Sequence, residues 1–522
     1  MLALLSTLAA NHLAAQPAPT DARRVEVAEF SVTGNTLLQP DAVDAVLARY
    51  KGQRSMDELK DAARALQDLY RQSGYGAVVT YLPEQSMSGG KLVIAVLEGR
   101  VTQVEVLGNR QFSVANIRRS LPLLQEGQTP QVQRIDAQVQ LANDNPARKL
   151  ALTLEAGANQ GEVDARVNVT EDKARRWTVS ADNTGNAQTG RLRLSLSYQD
   201  NALWDVDHQL ALQFQFAPEH PGAVRIFGGS YKVPIYGAGL MFSAYGTYSN
   251  VDAGTTATAA GALQFNGKGS VLGTSLTRVF NRNGEFDQRL TLSLEAREYL
   301  NSCAIQGLPA GACGSAGESV SAHPLTLEYS TQRVGDRPAS FNVAGSHNLG
   351  LGGRYASAAQ FDAVRPGATR AYTLFRLGAF AALPIVGDWR LSYRLAAQAT
   401  GDGLIPGEQF GLAGSTAVRG YAEREITGDA GVLGSVELIT PALGSGALRL
   451  LAFADAGGAR NALGTDCSGG ATRCTLASAG LGARFAIGPS QWRVDVARAL
   501  REGRTTRRDS TRLHFQASLP FP

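Results

Sequence analysis

The strongest candidate for chemistry in this sequence is an arginine flanked by residues that suit a tight loop. Arg419 lies in the tetrapeptide Val418-Arg419-Gly420-Tyr421. A planar guanidinium can bind a carboxylate through two parallel hydrogen bonds, so an arginine at the tip of an enclosed loop needs a fixed anion. Gly420 allows the chain to bend tightly beside it.

A second motif follows two predicted strands later and contains a single carboxylate among small residues. Its sequence is Phe453-Ala454-Asp455-Ala456-Gly457. Successive side chains of a strand point to opposite faces, so Asp455 lies on the face opposite Ala454 and Ala456. If those alanines face lipid, Asp455 faces the interior.

Signatures of catalysis are missing from the sequence. It contains no P-loop, no His-Glu-x-x-His and no Gly-x-Ser-x-Gly. Carboxylates such as Glu298 and Asp362 are scattered, without a nucleophile and base beside them. The net charge of +4 is too small to favour nucleic acid. We therefore predict no enzyme, no cofactor, no metal and no nucleic-acid partner.

The four cysteines form two close pairs between strand-like segments. Cys303 and Cys313 bracket a loop rich in Gly, Ala and Pro, and Cys467 and Cys474 bracket a second polar loop. Such pairs favour two small loop disulfides in an oxidising compartment. Zinc is a weaker alternative because histidine is scarce and there is no Cys-x-x-Cys.

The N-terminus indicates export. An apolar run from Leu2 to Ala10 precedes the small-residue stretch Leu13-Ala14-Ala15. This pattern predicts a secretory signal in residues 1–15, cleaved near Ala15. No window holds about 18 consecutive apolar residues, so no transmembrane helix is predicted.

Residues 25 to about 172 mix strands and helices. A strand from Val25 to Thr33 is followed by Ser55 and Glu58, which form a capping box at the start of a helix. Strands are predicted at Ala77 to Leu82 and Leu92 to Leu97. The apolar face of the helix comprises Leu59, Ala62, Ala63, Leu66, Leu69 and Tyr70.

The same β-α-α-β-β order then recurs. Gly34-Asn35 and Gly108-Asn109 end the first strand of each copy, and the two glycines are 74 positions apart by subtraction. We predict tandem modules at 25–100 and 101–172. One α+β domain of about 150 residues is the alternative.

From about residue 175 the apolar pattern has a period of two. Leu210, Leu212 and Phe214 alternate with Gln209 and Gln213, and similar segments recur to the C-terminus. They run near 10 residues, the length needed to cross a bilayer at a tilt, whereas strands of soluble sandwiches run about 5–6. Backbone groups in lipid must all be bonded, which requires a closed sheet. We predict a sixteen-stranded antiparallel barrel over 173–522.

Connection lengths orient this barrel. Turns such as Tyr236 to Gly239 and Ala442 to Gly446 are short, and short turns face the periplasm. The longest connection, at 400–432, contains the Arg419 motif. The four tryptophans then fall at periplasmic strand ends, as in an interfacial aromatic girdle. They are Trp177, Trp204, Trp389 and Trp492.

These motifs together resemble the POTRA-containing outer-membrane assembly and secretion superfamily. In that family a long loop folds back into the barrel with a Val-Arg-Gly-Tyr/Phe tip. The resemblance implies that Arg419 pairs with Asp455 of the Phe453-x-Asp455-x-Gly457 strand. Two POTRA-like modules and sixteen strands are similar to the two-partner secretion transporters of the TpsB, or hemolysin secretion/activation, type.

The resemblance implies a function. We expect an outer-membrane transporter that secretes one partner protein of adhesin, hemolysin or toxin type, with its modules capturing the unfolded partner in the periplasm. The Arg419 loop would hold or gate the conduit. Insertion of other barrels into the membrane and passive diffusion of small solutes are the alternatives, and a porin has no use for tandem modules.

Overall fold

The structure is a computed structural model. The residues it describes are 24–86, 89–187, 189–250, 268–300, 315, 318–444, 447–467 and 471–521. The predicted signal segment 1–15 and the predicted Cys303–Cys313 disulfide lie outside these residues. Among the described helices, none combines the length and the apolar character needed to traverse a bilayer.

The chain divides into two compact units. The first runs to Val104 and includes residues 124–132 and 154–165, and the second comprises 105–123, 133–153 and 166–522. Much of the second predicted module is thus grouped with the barrel. The predicted boundaries at residues 100 and 172 stay predictions.

The first module follows the predicted order. Its elements are β1 (Val25–Val27), β2 (Glu29–Thr33), α1 (Pro40–Leu47), β3 (Gly52–Arg54), α2 (Met56–Gln72), β4 (Val78–Tyr81) and β5 (Lys91–Glu98). The sheet order is β2-β5-β4. The predicted single strand from Val25 is interrupted at Ala28, whose N–H and that of Glu29 both donate to the carbonyl of Gly90.

Helix α2 begins at the predicted capping box. The Ser55 N–H donates to Glu58 Oε2 at 2.8 Å, and the Glu58 N–H donates to Ser55 Oγ at 3.3 Å. Burial of each large apolar side chain contributes about 1.5–3 kcal/mol before conformational entropy is subtracted. Of the predicted apolar face, Leu69 is partly buried and the rest are buried: Leu59, Ala62, Ala63, Leu66 and Tyr70.

The second module repeats the order without a counterpart of β3. Its elements are β6 (Arg100–Leu107), α3 (Val114–Ser120), α4 (Val132–Ala142), β7 (Arg148–Ala156) and β8 (Glu162–Glu171), with sheet order β6-β8-β7. The sequence predicts this helix over roughly Val114 to Leu124, and α3 ends four residues earlier, at Ser120. Pro122 disfavours a helical conformation at Leu121, which has φ −124° and ψ 57°.

Both modules use the same turn after their first long strand. Gly34 has φ +83° and Gly108 has φ +85°, and a Cβ at either would meet a carbonyl oxygen, of Val96 or Val169 respectively. Glu98 then accepts the backbone N–H groups of Thr36 and Leu37.

In the second copy the corresponding carboxylate is Glu171. It accepts the backbone N–H groups of Arg110, Gln111 and Phe112 at 2.7–3.2 Å. Burial alone raises the pKa of Glu171, but these three hydrogen bonds outweigh it and lower the pKa below its ordinary value. The recurrence of this glycine-and-carboxylate turn is the structural form of the sequence repeat.

The predicted barrel is confirmed: in the described residues, sixteen antiparallel strands form one closed sheet. Their bounds are β9 (Arg175–Asp182), β10 (Arg193–Leu203), β11 (His208–Phe216), β12 (Arg225–Ile235), β13 (Leu240–Asn250), β14 (Lys268–Val279), β15 (Asp287–Tyr299), β16 and β17 (Val320–Ala322 and Pro324–Arg333, together one interrupted strand), β18 (Ala339–Asn348), β19 (Thr373–Pro384), β20 (Arg390–Ala399), β23 (Ala430–Ile439), β24 (Leu448–Arg460), β25 (Arg473–Ile487), β26 (Ser490–Ala499) and β27 (Thr511–Phe521). The loop between β18 and β19 contains the short helix α5 (Ala358–Val364).

Side chains alternate between the lumen and the outer face. Asp495 and Ala497 of β26 are 1% and 0% exposed, whereas Val496 between them is 44% exposed. All four tryptophans lie at the barrel end that carries the short turns, before or at the start of β9, β11, β20 and β26. Their shared level fits an interfacial girdle at the periplasmic side.

Closure joins the two ends of the barrel sequence. Strand β27 pairs with β9 from Gln516 opposite Asp182 to Phe521 opposite Trp177. This ladder satisfies the backbone groups that each end strand would otherwise expose to lipid.

A buried arginine ties the second module to the periplasmic turns of the barrel within the second compact unit. Arg148, at the start of β7, has a side chain that is 0% exposed, and its Nη2 lies 2.6 Å from Asp207 Oδ2. Its Nη1 donates to Asn116 of α3. The hydroxyl of Tyr236 donates to the same Asp207 oxygen at 2.7 Å. Burial and the Asp207 charge raise the pKa of Tyr236, so the hydroxyl remains a donor.

Candidate functional site

The connection between β20 and β23 folds into the barrel. It spans residues 400–429, because β23 begins at Ala430, and it therefore ends three residues before the predicted end at residue 432. Two short strands stiffen it, β21 (Phe410–Gly411) and β22 (Thr427–Gly428), which pair antiparallel. Leu412, Val418 and Tyr421 are 0% exposed, so the loop packs against the wall rather than projecting into solvent.

Arg419 sits at the centre of this packing. Its Nε lies 2.7 Å from Asp455 Oδ2 and its Nη2 lies 2.8 Å from Asp455 Oδ1, a two-point guanidinium–carboxylate pair. Its backbone N–H also donates to Asp455 at 3.1 Å. The two side chains are 2% and 1% exposed. The structure thus brings together the two residues that the sequence singled out.

Further acceptors on the wall complete the surroundings of the guanidinium. Nη1 donates to Glu437 Oε1 at 2.7 Å, and Nη2 donates to Ser435 Oγ at 3.1 Å. Asp495 Oδ2 lies 3.6 Å from Nη1. The guanidinium carbon lies 3.5 Å from the ring centroid of Phe453, a cation–π contact. Three carboxylates surround this one side chain. Arginine suits such a site because its guanidinium stays charged and can donate to several acceptors at once.

The glycines of the two motifs allow close approach. Gly420 has φ +91°, a conformation that L side chains rarely adopt, and its N–H donates to His514 Nε2 at 3.0 Å. A Cβ on Gly457 would lie 2.7 Å from the side chain of Leu412. Gly457 therefore makes the space that the loop fills.

Tyr421 fixes the tip to the next part of the wall. Its hydroxyl lies 2.8 Å from the carbonyl oxygen of Ala477 and 3.0 Å from that of Arg501. The N–H of Arg501 donates to the same hydroxyl at 3.3 Å. One loop residue therefore links β25 to the connection between β26 and β27.

Two more buried carboxylates hold the base of the loop, and sequence reasoning assigned neither a role. Glu408 is 1% exposed and accepts Arg297 Nη1 through both oxygens, at 2.7 and 2.8 Å. Tyr299 donates to it at 3.0 Å, and Arg376 lies 3.4 Å away. No local pattern marks Glu408, since its partners are 32 to 111 positions distant.

The second of these carboxylates is Asp429. It is 0% exposed and pairs with Arg365, whose Nη1 and Nη2 lie 2.5 and 3.0 Å from its oxygens. It also accepts the backbone N–H groups of Leu404 at 3.1 Å and Ala462 at 2.8 Å. The loop is thus fixed at its tip and at both ends.

The structure describes one of the two predicted disulfides. Cys467 and Cys474 are bonded, with their Cα atoms 6.1 Å apart. Both are buried in a cluster with Leu412, Val418 and Tyr421 of the loop. This disulfide therefore constrains the connection that packs on the loop.

Neutralising Glu408 is expected to loosen the base of the loop. Glu408→Gln leaves Arg297 buried without its carboxylate, and breaking such a pair costs about 3 kcal/mol or more. Protease cleavage within 400–429 should rise several-fold, measured on the folded barrel in detergent. Glu298→Gln is the matched control, because Glu298 is exposed and its side chain accepts one hydrogen bond from the described residues, from Ser270 Oγ at 3.4 Å. Equal cleavage of both variants would contradict this role.

Comparison with known proteins agrees with this geometry. The outer membrane transporter CdiB of Dickeya dadantii is 24% identical over 481 residues, which cover 88% of this chain and 82% of that protein. The heme/hemopexin transporter protein HuxB of Haemophilus influenzae strain 86-028NP is 26% identical over 174 residues, 33% of this chain and 31% of HuxB. The structure of CdiB from Escherichia coli has the same fold, with a TM-score of 0.76 at 19% identity, covering 97% of this chain and 92% of that one.

Two family models match the chain, one over the first module and one over most of the barrel. The model for the POTRA domain, ShlB-type, matches residues 25–99. The model for the haemolysin secretion/activation protein ShlB/FhaC/HecB matches residues 161–485, more than half of the chain. The chain therefore belongs to the haemolysin secretion/activation protein family ShlB/FhaC/HecB.

Proposed function

We propose that this chain captures an unfolded partner protein with its N-terminal modules and conducts it through a lumen gated by loop 400–429. As a family member the chain is an outer-membrane transporter that secretes a partner protein, with its POTRA domains in the periplasm. The carrying observation is that Arg419 holds the loop inside the barrel through Asp455. Passage of a polypeptide then requires that loop to move.

The wall around the loop is polar, which suits an unfolded chain. The alternation along the strands predicts that Arg193, Arg394 and Arg493 face the lumen. Arg193 is buried and donates to the carbonyl of Gly190 at 2.7 Å, and Arg493 pairs with Asp495 at 3.0 Å. Arg394 instead donates to the carbonyls of Thr416 and Ala417, the latter at 3.1 Å. Arg394 therefore supports the gate in this state. Its release would add a cation to the conduit.

The first module offers an exposed edge for capture. Strand β4 pairs with β5 alone among the described strands and is the edge of its sheet. Val79 and Tyr81 are 51% and 42% exposed on it. An extended segment can add to such an edge through main-chain hydrogen bonds while apolar side chains give selectivity.

A groove beside the helices is a second place for apolar side chains. It lies between α1 and α2, has a volume of about 620 Å³, and is lined in part by Val46, Tyr50 and Leu69. It would take a side chain of the captured segment.

Capture is tested by charging the edge. The double variant Val79→Asp/Tyr81→Asp should secrete the partner at least tenfold less than the parent at equal barrel abundance, because a strand that adds there meets two carboxylates. Val114→Asp is the control, since Val114 is 47% exposed and acidic residues are favourable in the first turn of its helix. Surface delivery at the parental rate by the double variant would contradict capture by β4.

A permeability assay separates the alternative functions. A passive porin would admit small solutes equally with and without the edge substitutions and without any partner. Loss of other barrels from the membrane in the double variant would instead favour an assembly function. We expect neither effect.

A further inference from the structure

The outer face of the last four strands carries an unusual concentration of arginine. Residues 498–509 contain five arginines against one glutamate and one aspartate, a formal charge of +3, while the whole chain carries +4. This segment contains the connection between β26 and β27, at the barrel end opposite the tryptophans and short turns. It therefore lies at the cell-surface end.

Strand register places one of these arginines at the upper edge of the apolar band. Val496 pairs with Leu513, and both are exposed on the outer face, at 44% and 49%. Arg498 is the next residue on that face, about 7 Å further along the strand, and its side chain is 61% exposed. Below this level the outward row of β27 is apolar, down to Leu519 and Phe521.

Two neighbours bring further positive charge to the same face. Asp509 lies between Arg498 and Arg508, at 3.1 and 3.7 Å, so one carboxylate serves two guanidinium groups. Arg501 donates to Thr475 Oγ1 at 2.5 Å. Thr475 alternates with buried residues of β25, so Arg501 also lies on the outer side.

The neighbouring strand pair contributes two arginines that stand side by side. Arg460 of β24 and Arg473 of β25 are register partners. Both alternate with buried residues and are exposed, so their side chains stand next to each other on the outer face. Like charges directly opposite are destabilising. Within the described part of the chain neither guanidinium has a carboxylate partner, so an external anion is the natural partner for the pair.

We propose that this rim cluster, comprising Arg460, Arg473, Arg498, Arg501 and Arg508, binds the phosphorylated glucosamine headgroup of lipopolysaccharide in the outer leaflet. The chain lies in the outer membrane, whose surface leaflet presents those phosphates at the level just above the apolar band. Arginine binds phosphate through two hydrogen bonds and is the side chain best suited to it. This proposal deepens the outer-membrane assignment and does not depend on the gating mechanism.

The rim cluster faces outward from the barrel, which argues against the secreted partner protein as its ligand. A chain that leaves the lumen meets the inward face, where Asp495, Asp455 and Glu437 surround Arg419. The rim cluster lies on the opposite face of the same sheet. A lipid reaches that face laterally without crossing the barrel.

Purified full-length protein in detergent tests the proposal with lipid A as the probe. Binding of bisphosphorylated lipid A should weaken at least tenfold in Arg460→Gln/Arg473→Gln. In the parent, removing one phosphate from the lipid should cause a similar loss, whereas the double variant should be insensitive to it. The control Arg71→Gln/Arg110→Gln removes the same charge from exposed arginines of the modules and should bind as the parent does.

A second measurement distinguishes a ligand site from a structural role. Without lipid, the double variant should unfold at the same temperature as the parent or higher, because the repulsion between the two arginines is removed. Unchanged lipid A affinity in the double variant, or equal binding of fully dephosphorylated lipid by the parent, would overturn the proposal. So would loss of secretion at normal lipid A affinity, which would assign the cluster to the partner protein.

Discussion

Arg419→Ala is expected to reduce secretion of the partner protein more than tenfold while the barrel still assembles. The substitution removes the two-point pair with Asp455 and the contact with Glu437. Breaking a buried pair by removing one partner costs about 3–5 kcal/mol. A change of that size shifts the balance between an anchored and a released loop by about two to four orders of magnitude.

The expected loss of secretion in Arg419→Ala has a specific electrostatic cause. Without the guanidinium, Asp455 loses its buried cation partner, whereas Asp495 keeps its pairs with Arg484 and Arg493. The cost of burying Asp455 beneath the loop without the Arg419 cation disfavours the anchored position. The gate is then lost although the sheet, whose backbone ladder is separate from these side chains, remains closed.

Two further variants test whether the loss of secretion comes from the Arg419–Asp455 pair. Arg419→Lys keeps the charge but cannot make the two-point pair, so an intermediate secretion rate is expected. The double variant Arg419→Ala/Asp455→Ala should be less impaired than the sum of the single effects, because it leaves one fewer unpaired carboxylate. Normal surface delivery by Arg419→Ala would discard the gating role.

Arg148→Ala is expected to lower the stability of the second compact unit by about 3–5 kcal/mol. It leaves Asp207, itself 1% exposed, with the Tyr236 hydroxyl as its one remaining hydrogen-bond donor among the described residues. It also removes a cation 5.0 Å from the ring centroid of Phe112. A large drop in the thermal unfolding midpoint and rapid cleavage within 105–153 should follow. Abundance in the membrane should fall as well.

The double variant Arg148→Met/Asp207→Asn separates packing from charge. It removes both members of the buried ion pair, and asparagine tolerates the left-handed backbone at position 207, where φ is +60°, so part of the lost stability should return. The control is Arg166→Gln, whose pair with Glu105 at 3.2 Å is about half exposed. An unfolding midpoint of Arg148→Ala equal to that of the control would contradict the role of this cluster.

Local patterns were enough to predict the sheet and its faces. The alternation of apolar and polar side chains is visible in consecutive residues. The strands, the face of each strand that lines the lumen and the orientation of the barrel in the membrane could therefore be predicted from the sequence. Arg419 and Asp455 were recognised because each lies in a compact motif. Ser435, Glu437, Asp495 and His514 were not, because they reach the tip from three strands and carry no motif of their own.

Ends of elements were set by details that the periodic pattern does not contain. Pro122 shortens α3, and the ladder between β20 and β23 extends to Gly431, which ends the inward loop early. Arg148 was overlooked because its partners Asn116, Asp207 and Tyr236 are 32, 59 and 88 positions away. Such ion pairs and hydrogen bonds depend on which turns lie close together in the folded protein. The local sequence of a single segment does not show which turns these are.

The ladder between β27 and β9 has a consequence for the order of events during biogenesis. Trp177 and Phe521 meet only after all intervening strands are in place, and bringing together ends so far apart in sequence costs about 5 kcal/mol of chain entropy. Until then two unpaired strand edges are open to pairing with other chains. These edges must therefore be protected from aggregation while the chain crosses the periplasm. A chain truncated by ten residues would lack this ladder, so its sheet would stay open with an exposed, aggregation-prone edge.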